Sequence, residues 1–523
     1  MQTTSDLFTT LAQSSMRPLK WDARISFEKD FDDDITFFTI GDSLIGGTDF
    51  IKGTGDIVQE WDKYTYTDVS DRVIDVEWTR QTERFASVTL AMADIVFDNY
   101  DDYFTPQSDS EIADFILPAR PIRISAGFGD EAIPQFIGIT EGMPVIDEKA
   151  KTATFHCIDF LYSLFNRKLT ESALLFSNRT DEILVAIFEL AGLTAAQVSF
   201  DEGLVTIPYY FAKKDTRLYE AVKKLMEVEQ GRVYMDENGV IVFKNRQNYS
   251  STSVYDFNSY DNIYDLKTKT VDEILNVAEI IGAVREEQPN QPFYEITSTS
   301  TNDPTALLVP AGDTKEIWAE LSNPVVTIDD PVYIDDVVTS SFTVNTEPDG
   351  SGSASTDVSL QSSDLLSGNS VFKMTFENAG VADLYITRIE LYATPIIIKE
   401  PIYIREELEN SVATYEERIV RIENDLFQNK TEAQTKALTI VNDYGNFGGV
   451  SQMDVKGNMA LQLDDPIEVN SFGRVEDYKI AKITNKFSIP AKFTQILTLR
   501  KFTPFTYFTI GVSLIGGDDL ISP

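Results

Sequence analysis

Short runs in which apolar and polar positions alternate fill residues 24–161, separated by turn residues. A period of two sends successive side chains to opposite faces, so it predicts strands of a sheet or barrel. The clearest runs are 73–78, 87–97, 122–126, 135–139 and 152–158. The period then lengthens. At 180–191, Ile183, Ile187 and Leu190 share one helical face between a Thr180 cap and Gly192. At 215–230, Leu218, Val222 and Leu225 form the stripe and Gly231 closes it. A hairpin follows over 233–235 and 240–243, joined by Asp236-Glu237-Asn238-Gly239, whose last two residues accept positive φ. Residues 345–368 are dense in Ser, Thr, Asp and Gly, and strands at 325–328, 337–344, 371–376 and 384–392 predict a β-sandwich inserted there. Over 406–428, Leu408, Val412, Tyr415, Ile419 and Ile422 fall at helical spacing and predict an amphipathic arm. A further helix is expected at 431–444, ending at Gly445, with alternation again from 450 to 499. The expected fold class is multidomain, mainly β with α+β. Its expected parts are 1–165 (β-rich), 166–265 (α+β module), 266–400 (sandwich insertion) and 401–523 (helical arm, β-barrel and terminal pairing strand).

One stretch of alternation occurs twice. Residues 36–51 read TFFTIGDSLIGGTDFI and residues 506–521 read TYFTIGVSLIGGDDLI, identical at twelve of sixteen positions. Each copy breaks at a glycine pair and resumes, which predicts a paired hairpin. Active sites are rarely duplicated at both ends of a chain, whereas docking elements that meet equivalent surfaces often are. The expected anchors are Phe38, Ile40, Phe508 and Ile510, while Gly46, Gly47, Gly516 and Gly517 permit close backbone approach.

Composition narrows the partners. Net charge is −40, from 84 acidic and 44 basic residues. Such a surface repels phosphate, which excludes a nucleic-acid reader or an anionic-membrane binder but suits a duct through which DNA slides without sticking. The single Cys157 excludes an intramolecular disulfide scaffold. No basic flank precedes an apolar run near the N-terminus, and the best apolar stretch, 395–404, is cut by Lys399 and Glu400. The expectation is a soluble product made in the cytoplasm, with no membrane segment.

Candidate chemistry is sparse. Residues 41–48 match a phosphate-binding loop until the lysine position, held by Gly47, and the second copy carries Asp518 beyond its glycine pair, so no nucleotide or other cofactor is expected. His156 is the sole histidine. Strand parity puts Thr152, Thr154 and His156 on one face and Ala153, Phe155 and Cys157 on the other, so His156 and Cys157 cannot share a substrate or metal. They read as a half-buried strand histidine beside a core cysteine. Acidic clusters at 30–34, 98–102, 329–330 with 335–336, and 464–465 read as turn chemistry and solvated surface, since none has the loop glycine and distal glutamate of a calcium-binding EF-hand. No catalytic or metal-ligating residue is expected.

The string Ala93-Asp-Ile-Val-Phe-Asp98-Asn99-Tyr-Asp-Asp-Tyr103-Phe104-Thr105-Pro106 is followed by Leu117-Pro118-Ala-Arg120-Pro121-Ile-Arg123-Ile and by Phe136-Ile137-Gly138. In order and spacing these resemble minor tail proteins and baseplate hub proteins of long-tailed bacteriophages. The likeness extends to 180–246, with hairpin residues Gly231, Val233, Tyr234, Asp236 and Gly239, and to the stretch from Leu461 to Leu499. The central sandwich matches only loosely. The resemblance implies hub β-barrels, a homotrimeric ring at the distal end of the virion tail, and no catalytic residues. Its implied partners are further copies of itself, the tail tube and distal tail proteins, and tail fibre or receptor-binding proteins, with DNA only in passage. The expected function is a virion structural protein of the tail tip, assembled in the host cytoplasm, that joins the tail tube to the adhesion apparatus and forms part of an acidic DNA conduit. The alternative is a receptor-binding tail protein recognising cell-surface glycans through the sandwich, which needs exposed aromatics such as Trp318, Tyr333, Tyr385 and Tyr392. A carboxylate-based glycoside hydrolase is a third reading, but spacing along a chain does not show two carboxylates across a cleft.

Overall fold

The computed structural model describes residues 1–14, 17–27, 64–82, 88–169, 174–193, 197–213, 215–246, 253–258, 262–268, 274–289, 291–297, 306–320, 323–328, 342–366, 371–445, 450–471, 473–488 and 492–501. Strands from both ends of the chain build one sheet together. At its centre stands the antiparallel hairpin Arg474–Ser488 and Lys492–Lys501. The first half of Arg474–Ser488 pairs with Pro466–Ser471 and the second half with Val73–Thr82. From there the order runs through Thr89–Asp98, Thr152–Ile158, Glu131–Thr140 and Pro121–Phe128 to Leu19–Ile25. On the other flank stand Val450–Val455 and then Ile263–Thr268. Each of the five strands expected between 73 and 158 is present. Alternation is the cause: Ala91, Ala93, Ile95 and Phe97 are buried while Met92, Asp94 and Asp98 face water.

This sheet curls on itself. Trp21, on Leu19–Ile25, stacks on Phe487 of the central hairpin at 4.9 Å, and Phe128 approaches Phe493 at 6.5 Å. The helix Asp6–Gln13, capped by Ser5 and unforeseen in the sequence, tucks Phe8 against Phe128 at 5.0 Å. Aromatic rings therefore fill the gap where strand-to-strand hydrogen bonds would close a barrel. Among the described residues the strand order stays open, and these strands form a rolled sheet.

The α+β module packs helices Thr180–Leu190 and Leu218–Glu229 beside the three-stranded sheet Val198–Phe200, Ile241–Lys244 and Arg232–Met235. The buried face of the first helix is Ile183, Leu184, Ile187 and Phe188, whereas Leu190 is exposed. Its N-cap is Arg179, and the Thr180 hydroxyl instead donates to Glu229 at 2.7 Å. In the second helix the left-handed residue is Gln230 (φ +60°), not Gly231. Gly231 serves packing: a Cβ there would lie 2.5 Å from the Lys244 carbonyl oxygen.

The 406–428 arm is not one helix. Strand Leu384–Glu407 runs into it, a helix of two turns covers Glu409–Tyr415, and Ile419–Glu423 is a strand parallel to Val277–Glu287. Buried Asn276 explains the break, because its side chain donates to the Glu416 carbonyl (2.9 Å) and accepts from the Arg418 amide (2.8 Å). The helix Lys430–Tyr444 follows and packs on Val277–Glu287 and Leu384–Glu407.

Leu384–Glu407 is 24 residues long and belongs to two sheets. Its later part pairs with Val277–Glu287, and its earlier part with Gln291–Thr297, Leu307–Val309, Val325–Ile328 and Phe342–Asn345. Against that earlier part packs a three-stranded sheet, Thr314–Glu320, Val371–Asn378 and Val358–Leu366, completing the inserted sandwich. Ile317, Leu360, Phe372, Met374, Phe376, Ile386 and Ile389 form its core.

Candidate functional site

The residues matched to tail hubs turn out to be architectural. Strand Thr89–Asp98 ends in a turn organised by buried Asn99, whose side chain accepts from the Phe104 amide at 2.7 Å and donates to the Thr105 hydroxyl at 2.9 Å. Phe104 is thereby driven into the core against Phe97 (4.8 Å). Arg72 braces the turn from outside, bidentate to Asp101 (2.8 and 2.9 Å) and 4.2 Å from the centre of the Tyr103 ring. Arg120 is buried and donates its Nε to the Phe115 carbonyl at 2.8 Å. Gly138 lets two strands meet, since a Cβ there would lie 2.2 Å from the Ile158 carbonyl oxygen. In the 232–244 hairpin, one Asp236 carboxylate oxygen accepts from the Asn238 and Val240 amides (2.9 and 2.8 Å).

His156 and Cys157 are likewise kept apart by the strand that carries them. His156 faces solvent with its Nδ1 2.6 Å from Asp94 Oδ1, more exposed than the half-buried position expected. Cys157 points into the core, and burial pushes its thiol well above the usual range, leaving it unreactive. Among the described residues no three His, Cys, Asp or Glu side chains are placed to hold a metal ion, and no helix is long and apolar enough to cross a membrane. The expected docking residues Phe38, Ile40, Gly46, Gly47, Phe508, Ile510, Gly516 and Gly517 lie outside the described residues, as do Tyr333 and the phosphate-loop segment. Among the described residues, the strands that precede and follow the first copy in sequence pair with each other: Leu19–Ile25 with Thr67–Asp68, through Arg24↔Asp68 and Ile25↔Thr67.

A polar cavity of about 240 Å³, missed in the sequence, lies where the module meets the rolled sheet. Arg80 from the sheet pairs with Glu237 of the module hairpin, and Gln462 donates to the same carboxylate at 2.9 Å. Arg232 of the hairpin pairs with Asp464 and donates to the Leu463 carbonyl at 2.9 Å. Asp464 is thus a buried clasp residue in a left-handed turn (φ +60°), which corrects the solvated-surface reading of that cluster. Asp159 lines the cavity too, accepting from the Ala91 and Tyr162 amides at 2.8 and 2.6 Å; burial pushes its carboxyl up to about 7. Burial likewise pulls nearby Lys479 down to about 8, against the opposing pull of Asp464. Arg80 with Glu237 and Arg232 with Asp464 pair across the cavity and so join parts of the fold, while the Asp159 carboxyl is held by backbone amides.

No protein-family model and no curated protein matches the chain. Among solved structures, it is similar to the 43 kDa tail protein of prophage MuSo2 from Shewanella oneidensis: 9% identity, TM-score 0.44, over 83% of this chain and 94% of that one. Similar too is the tail protein from Neisseria meningitidis MC58, at 7% identity and TM-score 0.46 over 92% and 96% of the two chains. The chain resembles phage tail proteins. Prophage tail protein gp18 from Listeria monocytogenes EGD-e aligns over 85% of this chain and 93% of that one, with 10% identity and a TM-score of 0.42.

Proposed function

We propose that this chain is a structural subunit of a phage tail tip, without catalytic activity, assembling through shared strand edges into a homotrimeric ring. The observation that carries this reading is the sheet built jointly by both ends of the chain, whose flanking strand Ile263–Thr268 pairs on one side only among the described residues and exposes Tyr264 there. A sheet edge without a neighbour takes up a further strand, from the same chain or from another subunit. The duplicated segments at 36–51 and 506–521 are the strands that fill such edges between subunits, the second beginning just beyond Lys492–Lys501. Further support is that the tail-hub motif residues organise turns and cores, which suits a building block. The ring links the tail tube and distal tail proteins to tail fibres or receptor-binding proteins at the distal end of the virion, and is assembled in the host cytoplasm. With a net charge of −40, its lumen lets DNA pass without adhering.

Deletion of residues 506–523 tests the assembly directly. The truncated chain is expected to stay folded and soluble by circular dichroism while light scattering and electron microscopy find no ring. A normal ring from the truncation overturns the role of the duplicated segments.

A further inference from the structure

The outer face of the smaller sandwich sheet has features to which the proposed ring assembly assigns no role. In that sheet Thr314–Glu320 is an outer strand, paired to Val371–Asn378 with Trp318 opposite Lys373 and Glu316 opposite Thr375. Ile317, Phe372, Met374 and Phe376 point into the sandwich and are buried, so parity turns Glu316, Trp318, Lys373 and Thr375 outward. Trp318 is 56% exposed, whereas Trp78 is buried and Trp21 lies under Phe487. Lys373 Nζ sits 2.7 Å from Glu316 Oε1 and 5.2 Å from the centre of the Trp318 ring, so carboxylate, ammonium and indole are held in one cluster.

We propose that this face binds a neutral glycan, with Trp318 as the stacking platform and Glu316, Lys373 and Thr375 as the flanking hydrogen-bonding groups. A pyranose presents a C–H face rimmed by hydroxyls. The indole matches the first, while a carboxylate that accepts, an ammonium that donates and a hydroxyl that does both match the second. Neighbouring strands lie about 4.8 Å apart, which brings all four side chains within reach of one or two sugar rings. Charge selects the glycan class. Lys373 is already neutralised by Glu316 and the chain as a whole is strongly acidic, so a polyanionic polysaccharide is repelled. The described outward neighbours of Trp318, namely Glu316, Lys373 and Thr375, are polar, which suits an apolar protein partner poorly. Tyr385 and Tyr392, the other described aromatics considered for this role, are half-buried and lie on the opposite sheet.

The test uses the full chain on an array of neutral oligosaccharides of hexose and N-acetylhexosamine units, with dextran sulfate as the anionic probe. Hits are followed by calorimetric titration. At least one neutral oligosaccharide is expected to bind, Trp318→Ala to weaken it at least tenfold, and Trp318→Phe to retain part of the affinity, with ring formation unchanged in both variants. Absence of neutral hits, binding that survives Trp318→Ala, or binding of dextran sulfate alone overturns the proposal. Loss of the oligomer on Trp318→Ala overturns it as well, by assigning the face to a second copy of the chain.

Discussion

The rolled sheet and the sandwich are both antiparallel β structure, but they are put together in opposite ways. The sheet pairs Val73–Thr82 with Arg474–Ser488, partners some four hundred residues apart, and its aromatic core draws on both ends of the chain. The sandwich core comes from a single stretch between Val309 and Ile389. Loop-closure entropy grows only slowly with length, so long-range pairing costs little in stability but makes the sheet depend on distant segments being present together. The sandwich carries no such dependence. Two unfolding behaviours should follow.

The largest effect is expected from matched core truncations. Phe104→Ala and Phe376→Ala each remove a fully buried ring, worth about 3–5 kcal/mol. The first should lower the urea midpoint of the transition that carries the rolled sheet, and the second should act on the sandwich while leaving that transition in place. Coincident shifts in tryptophan fluorescence and far-ultraviolet circular dichroism for both variants would merge the two regions into one cooperative unit.

Next in size is the clasp where the rolled sheet meets the module. Arg232→Met strips Asp464 of its buried ion pair, leaving Arg500 at 3.8 Å and Lys479 nearby, and should cost about 3 kcal/mol in the rolled-sheet transition. Adding Asp464→Leu should recover much of that loss. If the double variant is no better than the single, the pair is not what joins these parts.

The smallest effect is in pH. Asp159 keeps its proton in the folded state up to about 7, whereas the unfolded carboxyl releases it near 4. Over that window the unfolded state binds fewer protons, so stability falls as pH rises, by about 2 kcal/mol between pH 5 and 7. Asp159→Asn should flatten the dependence in urea titrations at those two values. An unchanged slope would place the titrating group elsewhere.

Legibility in the sequence divides along the same line. Strand parity is local, so the opposite directions of His156 and Cys157 follow from alternation alone, as does the hairpin after Gly231. The helix expected over 406–428 failed because apolar residues at helical spacing there satisfy separate partners: Ile422 packs into the core while Ile419 is exposed on a strand. What breaks the helix is Asn276, more than a hundred residues earlier. The clasp was invisible for the same reason, since Arg232 and Asp464 are 232 positions apart and nothing in either stretch says that the two meet. The exposure of Trp318 is intermediate: parity fixes that it and Ile317 face opposite ways, but only the packed sandwich says which of the two meets water.

The 24-residue strand Leu384–Glu407 ties these parts mechanically. At about 3.3 Å per residue it measures up to some 80 Å, and it contributes to the sandwich at one end and to the layer under the helix Lys430–Tyr444 at the other. With one backbone serving both layers, a tug on the sandwich travels straight along covalent bonds to the body beneath. The appendage is therefore a stiff lever and not a tethered weight, so whatever it grips outside pulls on the interior of the subunit.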